Sequence, residues 1–233
     1  MEPRRYERQM MLKEIGAEGQ RKLRDASVLI VGLGGLGSPA ALYLTGAGIG
    51  RIGLCDPDTV SESNLHRQVL YDTSSLGIAK TEAAHRRLLD LSPEIIFNLH
   101  PEGLTQKNAR EIIIGYDLVM DCSDNYATRY LIDRVCAEQG KRWVYGAVGE
   151  LTGQLSLMNG AAEVRYKDLF PDEEYFTSLP KRTLAAFGPV PGTVGSLQAA
   201  EAVKAIIGIP SPLDGSLMTI DFLTLNTNLI KLK

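Results

Sequence analysis

Short apolar runs alternate with helical stretches along the first two thirds of the chain. Apolar and β-branched residues at 27–31 and 51–55 flank an alanine- and leucine-rich stretch at 38–47, which predicts a β-α-β unit. The same alternation continues with predicted helices at 79–91, 106–114 and 126–139 and predicted strands at 95–99, 117–120 and 142–145. This order is typical of a Rossmann-like, doubly wound and mainly parallel α/β sheet with helices on both faces.

The alternation changes after residue 149. A polar, proline-containing stretch at 159–191 is interpreted as a crossover loop without core elements. The other predicted elements are a strand at 153–158, a helix at 194–207 and two antiparallel strands, 217–222 and 225–230, in the C-terminal part of the sheet. Because no shift in composition divides the chain, we expect residues 1–233 to form a single domain, with residues 1–26 as an N-terminal helical arm.

Composition and charge exclude several classes of protein. Lys and Arg number 25 against 28 Asp and Glu, so the formal charge of −3 provides no overall attraction for nucleic acid or an anionic membrane. No apolar run approaches the roughly 20 residues of a membrane span, and we therefore expect a soluble protein. Cys55, Cys122 and Cys136 lack the spacing of a disulfide set or a metal clamp, which favours a reducing, cytoplasmic location.

A glycine-rich loop follows the first predicted strand. Its spacing, Gly32-x-Gly34-x-x-Gly37, comes directly before a predicted helix and predicts a phosphate site, because glycine lets a phosphate approach the N–H groups of the helix N-terminus. Asp56 lies 19 residues after Gly37, at the end of the next strand, from which a carboxylate can bind ribose hydroxyls. By itself this pattern indicates a dinucleotide such as NAD.

Two cations close to this pattern favour a different nucleotide. Arg67 lies shortly after Asp56, between Asn64 and Gln68, and Lys80 opens the next predicted helix. A diphosphate resting on a helix terminus does not need both cations. A triphosphate that is attacked by a carboxylate does need them, since cations offset the repulsion between the nucleophile and the polyphosphate.

Carboxylates follow a later predicted strand. Asp121 and Asp124 lie at its C-terminal end, the edge of a doubly wound sheet where ligands bind. Near a polyphosphate they predict Mg²⁺, although Asp124 is also placed to cap the following helix. We interpret Arg129 as an architectural partner of an acidic neighbour, and Cys122 as a thiol that is not a nucleophile because no base lies beside it in sequence.

As a set, these residues resemble the ThiF/MoeB/HesA adenylyltransferases of the ubiquitin-activating-enzyme superfamily, over nearly the whole chain and in the family's order. The motifs that carry the resemblance are Arg5-Tyr6-x-Arg8-Gln9, Gly32 to Gly37, Asp56-x-Asp58, Ser63-Asn64-Leu65-x-Arg67-Gln68, Lys80, Asp121-Cys122-x-Asp124-Asn125-x-x-x-Arg129 and Gly192-x-x-Gly195-x-Leu197-Gln198-Ala199. The resemblance implies an enzyme that uses ATP and Mg²⁺ to activate the C-terminal Gly-Gly carboxylate of a small ubiquitin-like sulfur-carrier protein. The implied product is an acyl-adenylate, formed with release of pyrophosphate, for sulfur transfer in thiamin or molybdopterin synthesis.

The resemblance also implies a role for each candidate residue. It places Asp56 on the ribose, Asp124 on Mg²⁺, and Arg8 at the ATP of the other subunit of a homodimer. The implied phosphate ligands are Asn64, Arg67 and Lys80. The remaining implied members of the ATP site are Gly32, Gly34, Gly35, Gly37, Asp58 and Gln68. The implied catalytic residues are Arg67, Lys80, Asp124 and Arg8.

Two features of the family are missing from this chain. Val164 and Lys167 stand where other members carry the first of two zinc-binding Cys-x-x-Cys pairs, and no second pair follows before Lys233, so we expect no zinc site. Residues 159–187 contain no cysteine, which excludes a thioester or persulfide relay through that segment. Adenylation is the chemistry that remains.

Two alternatives stay open on the same fold. One is an enzyme that adenylates a small-molecule or nucleoside carboxylate without a protein partner. The other is a non-catalytic or NAD-binding protein, against which the cation pair of Arg67 and Lys80 argues.

Overall fold

An eight-stranded sheet forms the centre of the computed structural model, which describes residues 4–180 and 185–232. The strands are β1 (Ser27–Val31), β2 (Arg51–Cys55), β3 (Ile96–His100), β4 (Leu118–Asp121), β5 (Arg142–Val148), β6 (Thr152–Met158), β7 (Ser216–Asp221) and β8 (Thr227–Lys231). Their order is β3-β2-β1-β4-β5-β6-β7-β8, with parallel pairing from β3 to β5 and antiparallel pairing from β5 to β8. The predicted fold class, a mainly parallel sheet with antiparallel strands in its C-terminal part, is confirmed.

Helices cover both faces of the sheet. They are α1 (Glu7–Met10), α2 (Gly16–Asp25), α3 (Gly37–Ala47), α4 (Lys80–Leu91), α5 (Ala109–Ile114), α6 (Tyr126–Glu138), α7 (Tyr166–Leu169), α8 (Glu173–Ser178) and α9 (Pro189–Ile207). Leu44, Leu88 and Val194 bring α3, α4 and α9 into one hydrophobic core. Ile113 and Ile132 bring α5 and α6 into a second core on the opposite face. This two-sided burial explains why the parallel strands are nearly continuously apolar.

The strand register aligns the segments that carry the candidate residues. Val31, the last residue of β1, pairs with Cys55 of β2 and with Asp121 of β4. The residues that follow these three strands therefore leave the sheet at the same edge. This edge includes the point where strand order reverses, at which doubly wound sheets bind ligands.

The stretch interpreted as a crossover loop contains more structure than predicted. Val164 and Tyr166 are buried, and α7 and α8 lie within the stretch, so the expectation of no core element was wrong. Helix α9 begins at Pro189 rather than at residue 194, because proline fits the first turn of a helix, where its missing N–H has no intrahelical partner. Residues 181–184 lie outside the described part of the chain.

Helix α5 is shorter than predicted, beginning at Ala109 rather than at residue 106. The Asn108 side chain accepts a hydrogen bond from the Thr105 backbone N–H at 2.7 Å, and the Asn108 N–H donates to Thr105 Oγ1 at 3.4 Å. These local side-chain bonds hold a turn in place of the first helical turn.

Helix α9 lies unusually close to the sheet and to α3. A Cβ at Gly195 would lie 2.2 Å from the Leu36 carbonyl oxygen, so only glycine allows this approach. Gln198 is fully buried, and its Nε2 donates to the carbonyl oxygens of Asp121 at 2.7 Å and Val144 at 3.3 Å. The amide thus joins α9 to β4 and β5 next to the ligand edge.

No helix among residues 4–180 and 185–232 is long and apolar enough to cross a membrane. The three cysteines, Cys55, Cys122 and Cys136, are buried and carry no disulfide. Cys55 and Cys136 pack in the second core, which confirms their interpretation as small buried hydrophobes.

We predict that Gln198→Leu lowers the free energy of unfolding by about 1–3 kcal/mol, because the buried carbonyl oxygens of Asp121 and Val144 lose a donor. Urea denaturation followed by circular dichroism measures the change. Ser196→Ala is the matched control on α9, since its hydroxyl bonds only the Gly192 carbonyl oxygen of the same helix at 2.7 Å. Equal stability of the Gln198 variant and the native protein would contradict the proposed role.

Candidate nucleotide site

The glycine loop makes a tight turn between β1 and α3. Gly32 has a φ of +94°, and a Cβ there would lie 2.5 Å from the Cys122 carbonyl oxygen. A Cβ at Gly37 would lie 2.0 Å from the Gly32 carbonyl oxygen. Both positions therefore require glycine, and the loop opens directly into the N-terminus of α3, where backbone N–H groups attract anions.

Gly34 and Gly35, in the middle of this loop, form a glycine cradle on which side chains of other segments pack. A Cβ at Gly34 would lie 3.6 Å from Gln68 Nε2, and one at Gly35 would lie 2.9 Å from Pro191 Cβ. Gln68 is only 4% exposed, yet its Oε1 accepts no hydrogen bond from any residue that the structure describes. A buried acceptor of this kind fits a ligand that supplies hydroxyl or amino donors, as a nucleotide does.

Asp56 ties the loop to the end of β2. Its Oδ2 accepts the Leu33 N–H at 2.6 Å and its Oδ1 accepts the Asp58 N–H at 2.9 Å. Burial raises the pKa of the Asp56 carboxyl, while the charge of Lys80 and the two backbone donors oppose that shift. An ionised carboxylate has about four acceptor positions, so about two remain for donors of a ligand.

Lys80 lies beside Asp56, as the sequence predicted for two members of one site. It is the first residue of α4 and is 4% exposed. Its Nζ lies 2.8 Å from Asp58 Oδ2 and 3.7 Å from Asp56 Oδ1. The ammonium group is therefore held at the ligand edge by two carboxylates, one of which, Asp58, is 68% exposed.

Arg67 is brought to the same loop. Its Nη2 donates to Asn64 Oδ1 at 2.9 Å and its Nη1 donates to the Ser63 carbonyl oxygen at 3.0 Å. A Cβ at Gly35 would lie 3.7 Å from Arg67 Cγ, so the Arg67 side chain passes over the glycine cradle. These neighbours orient the guanidinium without neutralising it, which leaves its charge for an anionic ligand.

The two carboxylates at the end of β4, Asp121 and Asp124, differ in their exposure to solvent. Asp121 is fully buried, and its Oδ1 accepts the Ser123 N–H at 3.0 Å and the Ser123 hydroxyl at 2.6 Å. Asp124 is exposed at the ligand edge. The following helix is capped by Asn125 and not, as also predicted, by Asp124: the Asn125 side chain accepts the Thr128 N–H at 2.9 Å. Asp124 is therefore the carboxylate of this pair that a ligand can reach.

Arg129 holds the loop that follows β4 in place. Its Nε lies 3.4 Å from Asp121 Oδ2 and its Nη2 donates to the Ser123 carbonyl oxygen at 2.9 Å. Burial raises the pKa of the Asp121 carboxyl and the Arg129 charge opposes that rise. The architectural interpretation of Arg129 is confirmed by these contacts.

Cys122 lies within the site, but its thiol is expected to be unreactive. Its Sγ lies 3.5 Å from Gln198 Oε1, and burial together with the Asp121 charge raises the pKa of the thiol well above its ordinary range. A thiol that stays protonated is a poor nucleophile. This agrees with the interpretation made from the sequence.

Arg8 is not brought to this site within one chain. It is exposed on α1, whose neighbour Gln9 donates from Nε2 to the Ala47 carbonyl oxygen at 3.1 Å. Ala47 ends α3, whereas the glycine loop precedes the start of α3 at Gly37. At 1.5 Å per residue that helix is about 16 Å long, so Arg8 lies towards the opposite edge of the sheet.

Tyr71 is a site residue that the sequence did not reveal. Its hydroxyl donates to the Leu33 carbonyl oxygen at 2.9 Å, and the ring is buried under the loop. Gln198 was part of a motif, but its hydrogen bonds to β4 and β5 were equally hidden. Neither residue belongs to a periodic pattern, so only the three-dimensional contacts identify their roles.

Within the described ranges, no group of three or more His, Cys, Asp or Glu side chains is arranged to hold a metal ion. Mg²⁺ in phosphate-transfer sites binds one or two protein carboxylates together with phosphate oxygens and water. The accessible Asp124 carboxylate fits that ligand chemistry. A zinc centre, which needs four protein ligands, has no such donor set among these residues.

The Rossmann-like fold and the two cations at its ligand edge are typical of a protein that binds a phosphorylated nucleotide. The ThiF family model matches residues 6–233, and the chain belongs to the ThiF family. It is 44% identical over 225 residues to the "Sulfur carrier protein adenylyltransferase" of Thermus thermophilus, covering 94% of this chain and 83% of that protein. The chain is also 44% identical over 221 residues to the "Adenylyltransferase and sulfurtransferase MOCS3" of Drosophila grimshawi, covering 93% of this chain. It spans about half, 49%, of that longer relative.

Solved structures share the fold at lower identity. Escherichia coli MccB, crystallised with ATP, superposes with a TM-score of 0.83 at 24% identity, over 99% of this chain and 72% of that one. PaaA superposes with a TM-score of 0.83 at 22% identity, over 98% of this chain and 72% of that one. At this identity the likeness establishes the architecture alone.

We predict that Tyr71→Phe weakens ATP binding about two- to fivefold and lowers stability by about 1 kcal/mol, because Leu33 in the glycine loop loses a buried hydrogen bond. Isothermal titration with ATP and Mg²⁺ measures the affinity. Tyr43→Phe is the matched control, since Tyr43 is 62% exposed on α3. An unchanged ATP affinity in the Tyr71 variant would show that its hydroxyl does not position the loop.

Proposed function

We propose that this chain uses ATP to adenylate the C-terminal carboxylate of a small ubiquitin-like sulfur-carrier protein that ends in Gly-Gly. The observation that carries the proposal is the 44% identity to a sulfur carrier protein adenylyltransferase across 83% of that protein. The glycine loop at the N-terminus of α3, the buried Gln68 acceptor, and the cations Arg67 and Lys80 support it, because together they fit a nucleoside triphosphate. The acyl-adenylate then serves sulfur transfer for thiamin or molybdopterin synthesis.

The proposed reaction is a displacement at the α-phosphorus of ATP. A carboxylate oxygen of the carrier forms a bond to that phosphorus, and the bond to the bridging oxygen of the pyrophosphate breaks. Pyrophosphate leaves with the electron pair of the broken bond. No general base is needed, since a terminal carboxylate is already ionised near neutral pH.

Different residues of the site bind different parts of ATP. The glycine loop and the α3 N-terminus receive phosphate oxygens, and the free acceptor positions of Asp56 bind the ribose hydroxyls. Arg67 and Lys80 stabilise the negative charge that grows on the pyrophosphate. For Lys80, phosphate replaces the exposed Asp58 as the partner of its ammonium group.

Asp124 is the proposed protein ligand for Mg²⁺, which when bound would neutralise charge on the phosphate oxygens. Asp124 contributes to this role through its place at the ligand edge beside the glycine loop. Arg129 and Ser123 hold the loop that presents it.

We also propose how the chain is organised and how two chains assemble. Residues 1–233 act as a single adenylation domain with a helical arm at 1–26 and a crossover at 159–191. Two chains form a homodimer in which Arg8 of one subunit reaches the ATP of the other. A cytoplasmic location fits three buried thiols that form no disulfide.

We predict that Lys80→Ala and Asp124→Asn each lower carrier-dependent ATP–pyrophosphate exchange by about 100-fold or more, because each removes a charge next to the reacting phosphates. Incorporation of labelled pyrophosphate into ATP measures the rate. Arg86→Ala is the matched control, since Arg86 is an exposed cation on the same helix as Lys80 and pairs with Glu82.

Exchange that persists unchanged in both variants would remove the assignment. Exchange that needs no carrier would instead favour adenylation of a small-molecule or nucleoside carboxylate. Tight binding of NAD without binding of ATP would favour the non-catalytic alternative.

A second prediction tests the subunit arrangement. Arg8→Ala and Lys80→Ala are each inactive alone, but mixed and re-equilibrated they recover about a quarter of native exchange, because half of the dimers are mixed and each mixed dimer contains one intact site. The activity of the mixture, compared with that of either variant alone, decides the point. No recovery, with subunit exchange verified by mass, would contradict a shared site.

A further inference from the structure

A buried carboxylate on α6 holds the start of the segment that joins β6 to α9. Asp133 is only 3% exposed, and its Oδ1 accepts the Arg165 Nε–H at 3.0 Å and the Tyr166 backbone N–H at 2.9 Å. Its Oδ2 accepts the Arg165 Nη2–H at 2.9 Å. This clasp between Asp133 and Arg165 is bidentate, the most directional geometry available to an arginine and a carboxylate.

The residues around this clasp are buried and ordered by further contacts. Val164 and Tyr166, on either side of Arg165, are almost completely buried in the second core. The Arg165 backbone N–H donates to Asp168 Oδ2 at 2.9 Å, which closes the first turn of α7. Helix α7 is therefore fastened to α6 by charge as well as by packing.

From the clasp, the segment runs to the ligand edge. The Phe170 and Phe176 rings lie 6.0 Å and 5.2 Å from that of Tyr126, measured between ring centroids, and the Tyr130 hydroxyl donates to the Phe170 carbonyl oxygen at 2.5 Å. Tyr126 follows Asp124 by two residues. Residues 170–178 thus form a wall beside the loop that presents Asp124.

The position of the clasp is informative. Its arginine, Arg165, lies between Val164 and Lys167, where the resemblance to other members of the family implies a zinc-binding cysteine pair. Here the same stretch is fastened by an ion pair that needs no metal. The Asp133 side chain is 4% exposed and accepts three hydrogen bonds, while the Arg165 side chain is 24% exposed, so the ion pair is mostly buried.

We propose that Asp133 and Arg165 are positioning residues for the carrier tail, an inference that rests on the proposed function. Their clasp fixes α7 and α8 as a wall against which the C-terminal tail of the carrier lies as it reaches the α-phosphate. Neither residue touches the nucleotide site described above. Their loss therefore affects the use of the carrier more than the binding of ATP.

The test uses Asp133→Asn and Arg165→Lys in the full chain, with a sulfur carrier protein of Thermus thermophilus that ends in Gly-Gly as the probe. We expect the KM for the carrier to rise about tenfold, since misplacement of a binding wall by about 1 Å has effects of this order or larger. The Kd of ATP, measured by titration without the carrier, stays within about twofold. Hydrogen exchange of residues 166–178 becomes faster.

Arg134→Gln, on α6 and outside the wall of residues 170–178, is the matched control. It removes a second ion pair between α6 and α8, Arg134 to Glu173 at 3.6 Å, whose side chains are 42% and 50% exposed. An exposed pair contributes little, so the control keeps the native KM. Arg165→Lys keeps the charge while losing the fork, which supplies a second variant if Asp133→Asn fails to fold.

An unchanged carrier KM in a folded variant, or a loss of ATP affinity by the same factor, would overturn the positioning role. A control that behaves like the clasp variants would do so as well. If the native chain itself shows no carrier-dependent exchange, the proposed function fails, and the carrier role fails with it. Native exchange together with an unaltered KM in the variants overturns the inference alone.

Discussion

The buried carboxylate of Asp56 is the constraint on which the candidate site depends. Its two oxygens accept the N–H groups of Leu33 and Asp58, and Lys80 supplies the nearby positive charge. A buried carboxylate that loses such partners is strongly destabilising, so these contacts fix the glycine loop, the end of β2 and the start of α4 relative to one another. The groups proposed to bind ATP are thus held in place by contacts within the chain.

Much of this arrangement could be predicted from the sequence, because it follows from local patterns. Strands β1 and β2 have the predicted bounds, since short apolar runs bounded by turns are strong signals. The parallel register of those strands then brings Gly32 and Asp56 to one edge without further information. Arg67 and Lys80 follow because both lie on the stretch between the end of β2, at that edge, and the start of α4.

The parts that the sequence did not reveal depend on contacts between distant residues. The crossover stretch was interpreted as polar because its aromatic residues are irregularly spaced. In the structure, the Tyr166 ring packs on that of Tyr130 of α6, and the Tyr130 hydroxyl donates to the Phe170 carbonyl oxygen. The clasp of Asp133 and Arg165 joins positions 32 residues apart, so no local pattern announces it. Prolines in the first turn of α9 led to the prediction of a loop there, although proline is also compatible with the start of a helix.

The proposed function requires that a carrier carboxylate becomes an acyl-adenylate at this edge of the sheet. The most direct measurement is intact-mass spectrometry of a sulfur carrier protein after incubation with the chain, ATP, Mg²⁺ and pyrophosphatase, which removes the pyrophosphate that would reverse the reaction. We expect the carrier to gain the mass of one adenylyl group on its C-terminal glycine, and a carrier lacking that glycine to gain none. A carrier of unchanged mass, under conditions where the chain binds both ATP and the carrier, would contradict the account.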